Sequence, residues 1–284
     1  MQKYLIVTAD DFGLHESVNE AVEQASHAGI LTAASLMVAA PAAADAIARA
    51  RRLPHLRVGL HLVLADGRAM LEPGLIPGLA DGEGNMNSRM FTNGVRFFAF
   101  RALRRQLEAE IRAQFSAFVR TGLALDHVNA HKHFHLHPTL LNMVLRIGRD
   151  FDVRAVRVPD EPWWFARRSG GRIAGMNAVL LAPWLALMKR RLQKAHVRHN
   201  DRIFGVGASG HMDEAKLLII LARLPPGATE IYLHPAVRSG RGTASADYRH
   251  ADELAALLSP RVRAAIAAGG VAQGGYRDLD YDCR

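Results

Sequence analysis

The sequence predicts one α/β domain that spans all 284 residues and folds as an irregular, TIM-like (β/α) barrel, with parallel strands inside and helices outside. Short apolar runs typical of buried strands alternate with helical patterns from one end of the chain to the other. About seven or eight such units in a chain of this length favour a closed or distorted barrel over an open sheet. No internal repeat, low-complexity tail or linker divides the chain.

The first part of the chain contains three predicted strands and two predicted helices. An apolar run at residues 4–9 predicts the first strand, and an amphipathic pattern at 16–28 predicts the helix after it. The sequence TAASLMVA at 32–39 predicts the second strand, followed by an Ala-rich helix at 42–53. The sequence LRVGLHLV at 56–63 predicts the third strand.

The middle of the chain begins with an unusually long loop. The stretch at 65–94 is polar and rich in Gly and Pro, and loops of that length are uncommon unless they act as lids or bind ligands. We expect a long helix at 95–121, then a strand at 123–130. The His-rich sequence HKHFHLHP follows and leads into a helix at 139–150.

The last part of the chain continues the alternation. The remaining predicted elements are a strand at 153–158, an apolar helix at 173–188, a short strand near 202–207, a helix at 213–223, a strand at 229–235, a helical region at 248–268 and a final strand or turn at 269–276.

The positive charge of the chain is concentrated in one segment. The formal net charge is +9, and residues 154–204 alone contain eleven Lys or Arg against three Asp or Glu. Such a segment fits nucleic acid or anionic lipid. It lacks the aromatic-interleaved pattern of single-strand binders, which argues against nucleic acid. The only cysteine, Cys283, excludes an intrachain disulfide, and the N-terminus lacks a secretory signal, so we expect a cytoplasmic protein.

Polar residues with metal-binding or catalytic chemistry follow four of the predicted strands. They are the doublet Asp10 and Asp11, His61, the five histidines between His127 and His137, and His234. Because the carboxyl ends of parallel strands lie on one face, these residues are expected to meet there. Asp and His are suitable ligands for a hydrolytic metal site, where a cation lowers the pKa of water and polarises a carbonyl group.

Each feature also has a simpler structural explanation. An Asp-Asp pair at a strand end can be a turn or a helix N-cap, and His61 alone can be a hydrogen-bonded core histidine. The two adjacent carboxylates should point to opposite faces of a regular strand, so one can bind the cation while the other acts as a base. The density of histidines at 127–137 favours a metal or catalytic role for that cluster.

The motifs TADDFG, GLHL, HVNAHKHFHLHP, VRVPDEP and EIYLHP together resemble the YdjC-like carbohydrate deacetylases, which include the chito-oligosaccharide deacetylase. The resemblance implies an irregular (β/α) barrel that removes N-acetyl groups from amino sugars. It also implies one divalent metal ion, Mg²⁺ or Zn²⁺ with Mn²⁺ or Co²⁺ as alternatives, held by Asp11, His61 and His131. By the same resemblance Asp10 is the catalytic base and His234 the acid.

Two residues of the His-rich motif depart from the pattern of many relatives. Asn129 and Lys132 stand where those relatives carry Asp and His, which puts the contacts around the ligands in question. We expect His135 to contact substrate or to support a ligand. Arg157, at a predicted strand end, is expected either to bind sugar hydroxyls or to be a surface arginine.

The segment 162–204 bears on the substrate. Trp163 and Trp164 open it beside two arginines, and the apolar helix that follows is too short to span a bilayer, since about 20 residues are needed. It is either an interfacial element that touches lipid or a buried barrel helix with solvated basic ends. The overall pattern is similar to the hopanoid-biosynthesis-associated branch of the family, which implies an N-acetylglucosaminyl hopanoid as substrate and peripheral contact with the inner face of the membrane.

Other functions are compatible with parts of the sequence. Soluble chito-oligosaccharides or another amino sugar are the alternative substrates. Trp163 and Trp164 are expected to contact the substrate. A basic binding protein whose histidines store metal would show salt-dependent binding without hydrolysis. A two-metal phosphodiesterase would need more carboxylates than the motifs supply. A homodimer is compatible with the sequence.

Overall fold

The computed structural model describes residues 2–238 and 247–279, and Cys283 therefore lies outside the described residues. The strands are β1 (Lys3–Phe12), β2 (Ala33–Leu36), β3 (Arg57–Leu62), β4 (Leu125–Ala130), β5 (Arg202–Phe204), β6 (Gly227–Leu233) and β7 (Ala272–Gln273). The helices are α1 (Glu16–Ala28), α2 (Ala43–Ala50), α3 (Met90–Ala99), α4 (Arg101–Arg120), α5 (Pro138–Gly148), α6 (Trp163–Lys194), α7 (Glu214–Leu221), α8 (His250–Leu258) and α9 (Pro260–Ala268).

The strands form one curled sheet in which the described pairings are parallel. The order is β4-β3-β2-β1-β6-β5, and β7 pairs with the start of β1. Residues 153–160 join the two edges, because Val156 bridges to Val128 of β4 and the amide of Ile203 in β5 donates to the carbonyl of Asp160. The predicted single-domain α/β fold with a barrel-like parallel sheet is confirmed.

The central strands are buried on both faces, as expected where helices cover a parallel sheet. All seven residues of β6 and the last eight of β1 are buried. The amphipathic helix α1 packs Ala21, Val22 and Ala25 against this core. Burial on both faces explains the continuous apolar run in the first half of β1.

The amino end of the barrel is closed by the C-terminal segment. Tyr276 and Leu279 pack with Ile6, Ala33 and Ala228, which lie near the starts of their strands. The Tyr276 hydroxyl donates to Glu230 at 2.5 Å, inside the barrel. The opposite, carboxyl end remains open, and this is where the predicted site residues lie.

Some predicted boundaries were wrong. Residues 153–158 make isolated bridges instead of a regular strand. The helix predicted at 95–121 is two helices, because Phe100 adopts an extended conformation between α3 and α4. The helical region predicted at 248–268 is interrupted at Ser259, which caps α9 just before Pro260. Each difference reflects a local backbone change that apolar periodicity does not reveal.

Helix α6 is longer than predicted and has a break near its start. It begins at Trp163, and Gly171 has a φ of 79° and a ψ of −169°, which a residue with a side chain rarely adopts. By length and composition it could cross a membrane, with a mean hydropathy of 1.3 over 18 residues. However, Leu185, Met188 and Leu192 in its second half are buried in the core, so this half belongs to the folded domain.

We expect Tyr276→Phe to destabilise the barrel. The substitution removes one hydrogen bond to the fully buried carboxylate of Glu230, and a hydrogen bond to a charged group contributes about 1.5–3 kcal/mol. Urea unfolding followed by circular dichroism measures the loss. Tyr4→Phe is the control, since the Tyr4 hydroxyl bonds a carbonyl in a partly exposed place. An equal loss in both variants would contradict the importance of the buried bond.

Candidate active site

A cavity of about 450 Å³ opens at the carboxyl end of the barrel. Most of its lining comes from strand ends and from the turns that follow them. The lining residues are Asp10, Asp11, His61, Asp66, Ala130, His131, Lys132, His133, Val206, Ser209, Tyr232, His234 and Tyr248. The cavity thus contains all five residues predicted as metal ligands or catalytic groups.

Both carboxylates of the doublet face this cavity because β1 is irregular at its end. Asp11 has a φ of 62°, in the left-handed region, and the pairing of β1 with β2 shifts register between Ala9 and Phe12. Asp tolerates this conformation better than most residues. The expectation that Asp10 and Asp11 point to opposite faces was therefore wrong, and the bulge brings both to one cavity.

Asp11, His61 and His131 form a cluster that could hold a metal ion. One potential ligand atom from each lies within 4.8 Å of the others. Asp11 Oδ1 is 3.4 Å from His61 Nε2 and 3.2 Å from His131 Nδ1. Asp11 Oδ2 is buried and has no hydrogen-bond partner among the described residues. Two imidazoles and a carboxylate that has an unpartnered buried oxygen fit a divalent cation.

The charges in the cluster keep its carboxylate ready to bind. Burial by itself would raise the pKa of Asp11, but His131 and His61 outweigh it and hold that pKa well below its usual range. Burial would lower the pKa of His61, and the carboxylates of Asp10 and Asp11 instead raise it. A cation bound to His61 in place of its proton would compensate the negative charge of the same two carboxylates.

Asn129 sets the orientation of His61 and connects it to Asp10. His61 Nδ1 lies 2.7 Å from Asn129 Oδ1, and Asn129 Nδ2 lies 3.1 Å from Asp10 Oδ1. A carboxylate only accepts hydrogen bonds, so the amide nitrogen must face Asp10 and the amide oxygen must accept from His61 Nδ1. In the neutral imidazole this leaves the Nε2 lone pair on the side of Asp11, where a bound cation would be. The departure from the common motif at Asn129 thus still supplies support for a ligand.

Asp10 is held by a buried arginine. Arg157 donates to both oxygens of Asp10, at 2.5 and 3.0 Å, and also to both oxygens of Glu230. Burial would raise the pKa of Asp10, but the charge of Arg157 and that of His61 keep it far below the usual range. With Asn129 the described donors use three of the roughly four acceptor positions of the carboxylate, which leaves room for a water.

His234 lies on another side of the cavity, directly after β6. Glu253 accepts a hydrogen bond from its backbone amide, and His250 Nδ1 bonds its carbonyl oxygen. The His234 Nδ1 atom is buried without a partner in the described part of the chain. Burial lowers the pKa of His234, and His131 and His61 act in the same direction, against Asp11 and Asp10.

The four predicted substrate-binding residues do not line the cavity. Arg157 is fully buried beneath it, and His135 Nε2 lies 3.0 Å from the Arg157 carbonyl oxygen, to which it can donate. Trp163 is 54% exposed on α6, and Trp164 packs against Phe204. Direct contact of these residues with substrate stays a prediction. The positions of Arg157 and His135 favour support of neighbouring groups instead.

Several cavity residues were given no individual role by the sequence reasoning, although His133 belongs to the His-rich cluster that it favoured as a metal or catalytic site. His133 lies beside His131 because Lys132 and His133 both have left-handed backbones, with φ of 55° and 56°. His133 Nε2 is 3.0 Å from the Tyr232 hydroxyl. Tyr232 could have been found, since it is two residues before His234 and so shares its face of the strand. Asp66, Ser209 and Tyr248 come from separate loops, and nothing in the local sequence marks them.

The loop after β5 is fixed by Glu161 of the VRVPDEP motif. Its carboxylate accepts hydrogen bonds from the amides of Gly205, Val206 and Gly207 at 2.7–2.8 Å. Burial raises the pKa of Glu161 to about 6 in spite of these bonds. Because Val206 lines the cavity, Glu161 shapes the wall without touching the metal cluster.

The model of the family described as YdjC-like protein matches residues 4–268 of this chain. The chain belongs to the YdjC-like family. A carbohydrate deacetylase of Geobacillus stearothermophilus is 29% identical over 98% of this chain and 99% of its own length. One from Brevibacillus brevis is 38% identical over 57% of this chain, and the match spans 60% of that relative.

Among solved structures, an Enterococcus faecalis V583 protein named for cleavage of cellobiose phosphate shares the fold of this YdjC-like chain. The TM-score is 0.76 at 21% identity, over 98% of this chain and 99% of the other. At that identity the likeness supports the fold alone.

We expect the loss of His61 to abolish metal binding. After loading with Zn²⁺ and dialysis, His61→Asn should lose more affinity than the roughly 10- to 100-fold that loss of an outer-shell partner costs, because it removes a ligand. His133→Asn is the control, since His133 lines the same cavity outside the cluster. Metal content by mass spectrometry checks both, and wild-type content in His61→Asn would remove His61 from the ligand set.

We expect Glu253 to make stability depend on pH. Burial raises the pKa of Glu253 to about 8, whereas its ordinary value is 4.5. The folded protein therefore holds a proton that the unfolded chain releases, and the free energy of unfolding falls as the pH rises from about 5 to 8. Denaturant unfolding at several pH values should show a smaller fall in Glu253→Gln. Parallel curves for both proteins would contradict the shift.

Proposed function

We propose that this protein is a metal-dependent hydrolase that removes the N-acetyl group from an N-acetylglucosamine unit, with an N-acetylglucosaminyl hopanoid as its substrate. The observation that carries the proposal is the joint presence in one cavity of Asp11, His61 and His131 as a metal cluster, with Asp10 and His234 nearby and outside it. The curated relatives named carbohydrate deacetylases support the class of reaction.

The cluster would hold one divalent ion. Mg²⁺ and Zn²⁺ are the first candidates, and Mn²⁺ and Co²⁺ also suit imidazole and carboxylate ligands. When bound, the ion supplies Lewis-acid polarisation of the amide carbonyl and lowers the pKa of water. Asn129 keeps His61 in the tautomer that can bind it.

Asp10 and His234 divide the proton transfers. Asp10 accepts a proton from the attacking water, and its bonds to Arg157 and Asn129 hold the carboxylate ionised and oriented for this. The water oxygen bonds to the acetyl carbon, and the carbon–nitrogen bond breaks. His234 donates a proton to the departing nitrogen, and its place in the cavity outside the metal cluster suits this role. The products are acetate and a free amino sugar.

A lipid-linked substrate is supported by the surface around the cavity. The exposed apolar side chains of α6, among them Ile173, Met176 and Leu180, form a surface for which an enzyme of small soluble sugars has little use. The resemblance to the hopanoid-associated branch points the same way. The location that follows is cytoplasmic, at the inner face of the membrane.

The proposal predicts acetate release from an N-acetylglucosaminyl hopanoid in detergent by the metal-loaded protein. In the same assay free N,N′-diacetylchitobiose should be a poorer substrate. Release only from the free disaccharide would keep the deacetylase and replace the hopanoid by soluble chito-oligosaccharides. Acetate from neither would contradict the reaction itself.

Within this assay Asp10→Asn should lower turnover by roughly 10²- to 10⁴-fold, because a positioned base is removed. The variant should keep its metal, since Asp10 lies outside the cluster. Asp66→Asn is the control, because Asp66 lies in the same cavity and pairs with Lys132. An active Asp10→Asn enzyme would refute the base assignment.

A further inference from the structure

The first half of α6 carries an exposed apolar surface next to the cavity. We call residues 172–183 the projecting segment. Ile173 is 71% exposed and Leu180 is 69% exposed, and Met176 and Val179 are each more than half exposed. Apart from Arg172 at its start, the segment contains no charged residue. Such a concentration of exposed apolar side chains marks an interaction surface.

The projecting segment is held in place by the rest of its helix. Leu185 and Met188 are buried in the core, and Trp184 Nε1 donates to the carbonyl of Leu136 at 2.9 Å. At the other end Gly175 packs closely against Arg167, across the break at Gly171. The apolar face is therefore presented by a fixed element.

The length of the projecting segment excludes a complete span. Its twelve residues extend about 18 Å as a helix, whereas a bilayer core is about 30 Å thick. The buried second half of α6 cannot leave the domain without exposing core side chains. The geometry fits a helix that lies at the surface of a bilayer with its apolar side chains inserted.

The charges on α6 favour an anionic surface as the partner. The helix contains seven Lys or Arg and no Asp or Glu. Arg167, Arg168 and Arg172 are exposed at its first end, and in the described part of the chain none of them forms an ion pair. Arg190 is exposed at the other end. Apolar side chains between two basic groups match the acyl chains and headgroups of an anionic leaflet.

A second copy of this chain is a poorer partner for the same face. Two such helices packed against each other, parallel or antiparallel, would bring basic ends together because both ends are basic and no acidic residue balances them. Like charges brought together in an interface are unfavourable. The charge pattern therefore distinguishes lipid from self-association.

The projecting segment also lies close to the cavity mouth. The backbone of Gly170 contacts Gly207, which directly follows Val206 of the cavity wall. Leu136, held by Trp184, belongs to the turn that carries His131 and His133. On the same turn Phe134 packs on Phe97 of α3, whose neighbour Phe98 is 73% exposed. Exposed apolar side chains thus extend from two helices that pack on this turn.

We propose that the projecting segment and the arginines beside it dock the protein on the surface of an anionic phospholipid bilayer. Docking there brings the cavity mouth near the headgroup layer, where the sugar of a membrane glycolipid lies. The inference concerns the place of action of the proposed deacetylase. Vesicle binding can be measured without the substrate of the deacetylase, so the docking proposal and the deacetylase proposal can fail separately.

The test is flotation of the full-length protein with vesicles of equal parts phosphatidylcholine and phosphatidylglycerol. Wild type should float with these vesicles and less with pure phosphatidylcholine. Ile173→Ser with Leu180→Ser should bind at least roughly tenfold more weakly, since two inserted apolar side chains are lost. Arg167→Gln and Arg168→Gln should each weaken binding by roughly fivefold.

The matched control is Leu75→Ser with Val119→Ser, two apolar residues that are 65% and 58% exposed on other parts of the surface. This control should float like wild type. Equal flotation of wild type and the Ile173/Leu180 variant would overturn the proposal. So would a wild-type dimer by light scattering that the same variant converts to monomer, with no flotation of either protein.

Acetate release from soluble N,N′-diacetylchitobiose distinguishes the two proposals. The Ile173/Leu180 variant should retain whatever activity the wild type has on this substrate, because neither residue lines the cavity. Vesicle binding without hydrolysis of any sugar would uphold the docking surface and contradict the deacetylase. Hydrolysis without vesicle binding would do the reverse.

Discussion

The barrel and its candidate active site both depend on Arg157. A fully buried guanidinium needs anionic partners, and it finds them in Asp10 of β1 and Glu230 of β6. These bonds attach the irregular segment at 153–160 to the central strands, where it joins the two edges of the sheet. Glu230 in turn accepts from Tyr276, which closes the amino end of the barrel. One side chain thus connects the closure of the fold with the orientation of the proposed base.

The bulge at the end of β1 explains how two neighbouring carboxylates can have different functions in one cavity. Asp10 keeps the strand direction and faces the buried arginine, whereas the left-handed backbone of Asp11 turns its carboxylate to His61 and His131. The environments differ accordingly. Asp10 has its acceptor positions nearly filled by donors, and Asp11 has an unpartnered buried oxygen among the described residues. Both carboxylates are held ionised by their neighbours, but of the two only Asp11 has an oxygen without a partner.

Helix α6 has an exposed first half and a buried second half. Most helices bury one face against the sheet, but the first half of α6 leaves its apolar face uncovered beside the cavity. A buried barrel helix, which the sequence allowed as the simpler explanation, describes only the second half. The break at Gly171 separates the part of α6 that begins the helix from the part that projects. The same helix is therefore part of the core at one end and leaves apolar side chains exposed at the other.

The sequence by itself determined the parallel α/β class and the positions of Asp10, Asp11, His61, His131 and His234 at strand ends. It could do so because burial on both faces leaves apolar runs, and because carboxyl ends of parallel strands share one face. Only the tertiary structure decided the partners of these groups. The Arg157–Asp10 and Asn129–His61 bonds join residues far apart in the chain, and the left-handed turns at Asp11 and His133 are backbone choices that composition does not encode.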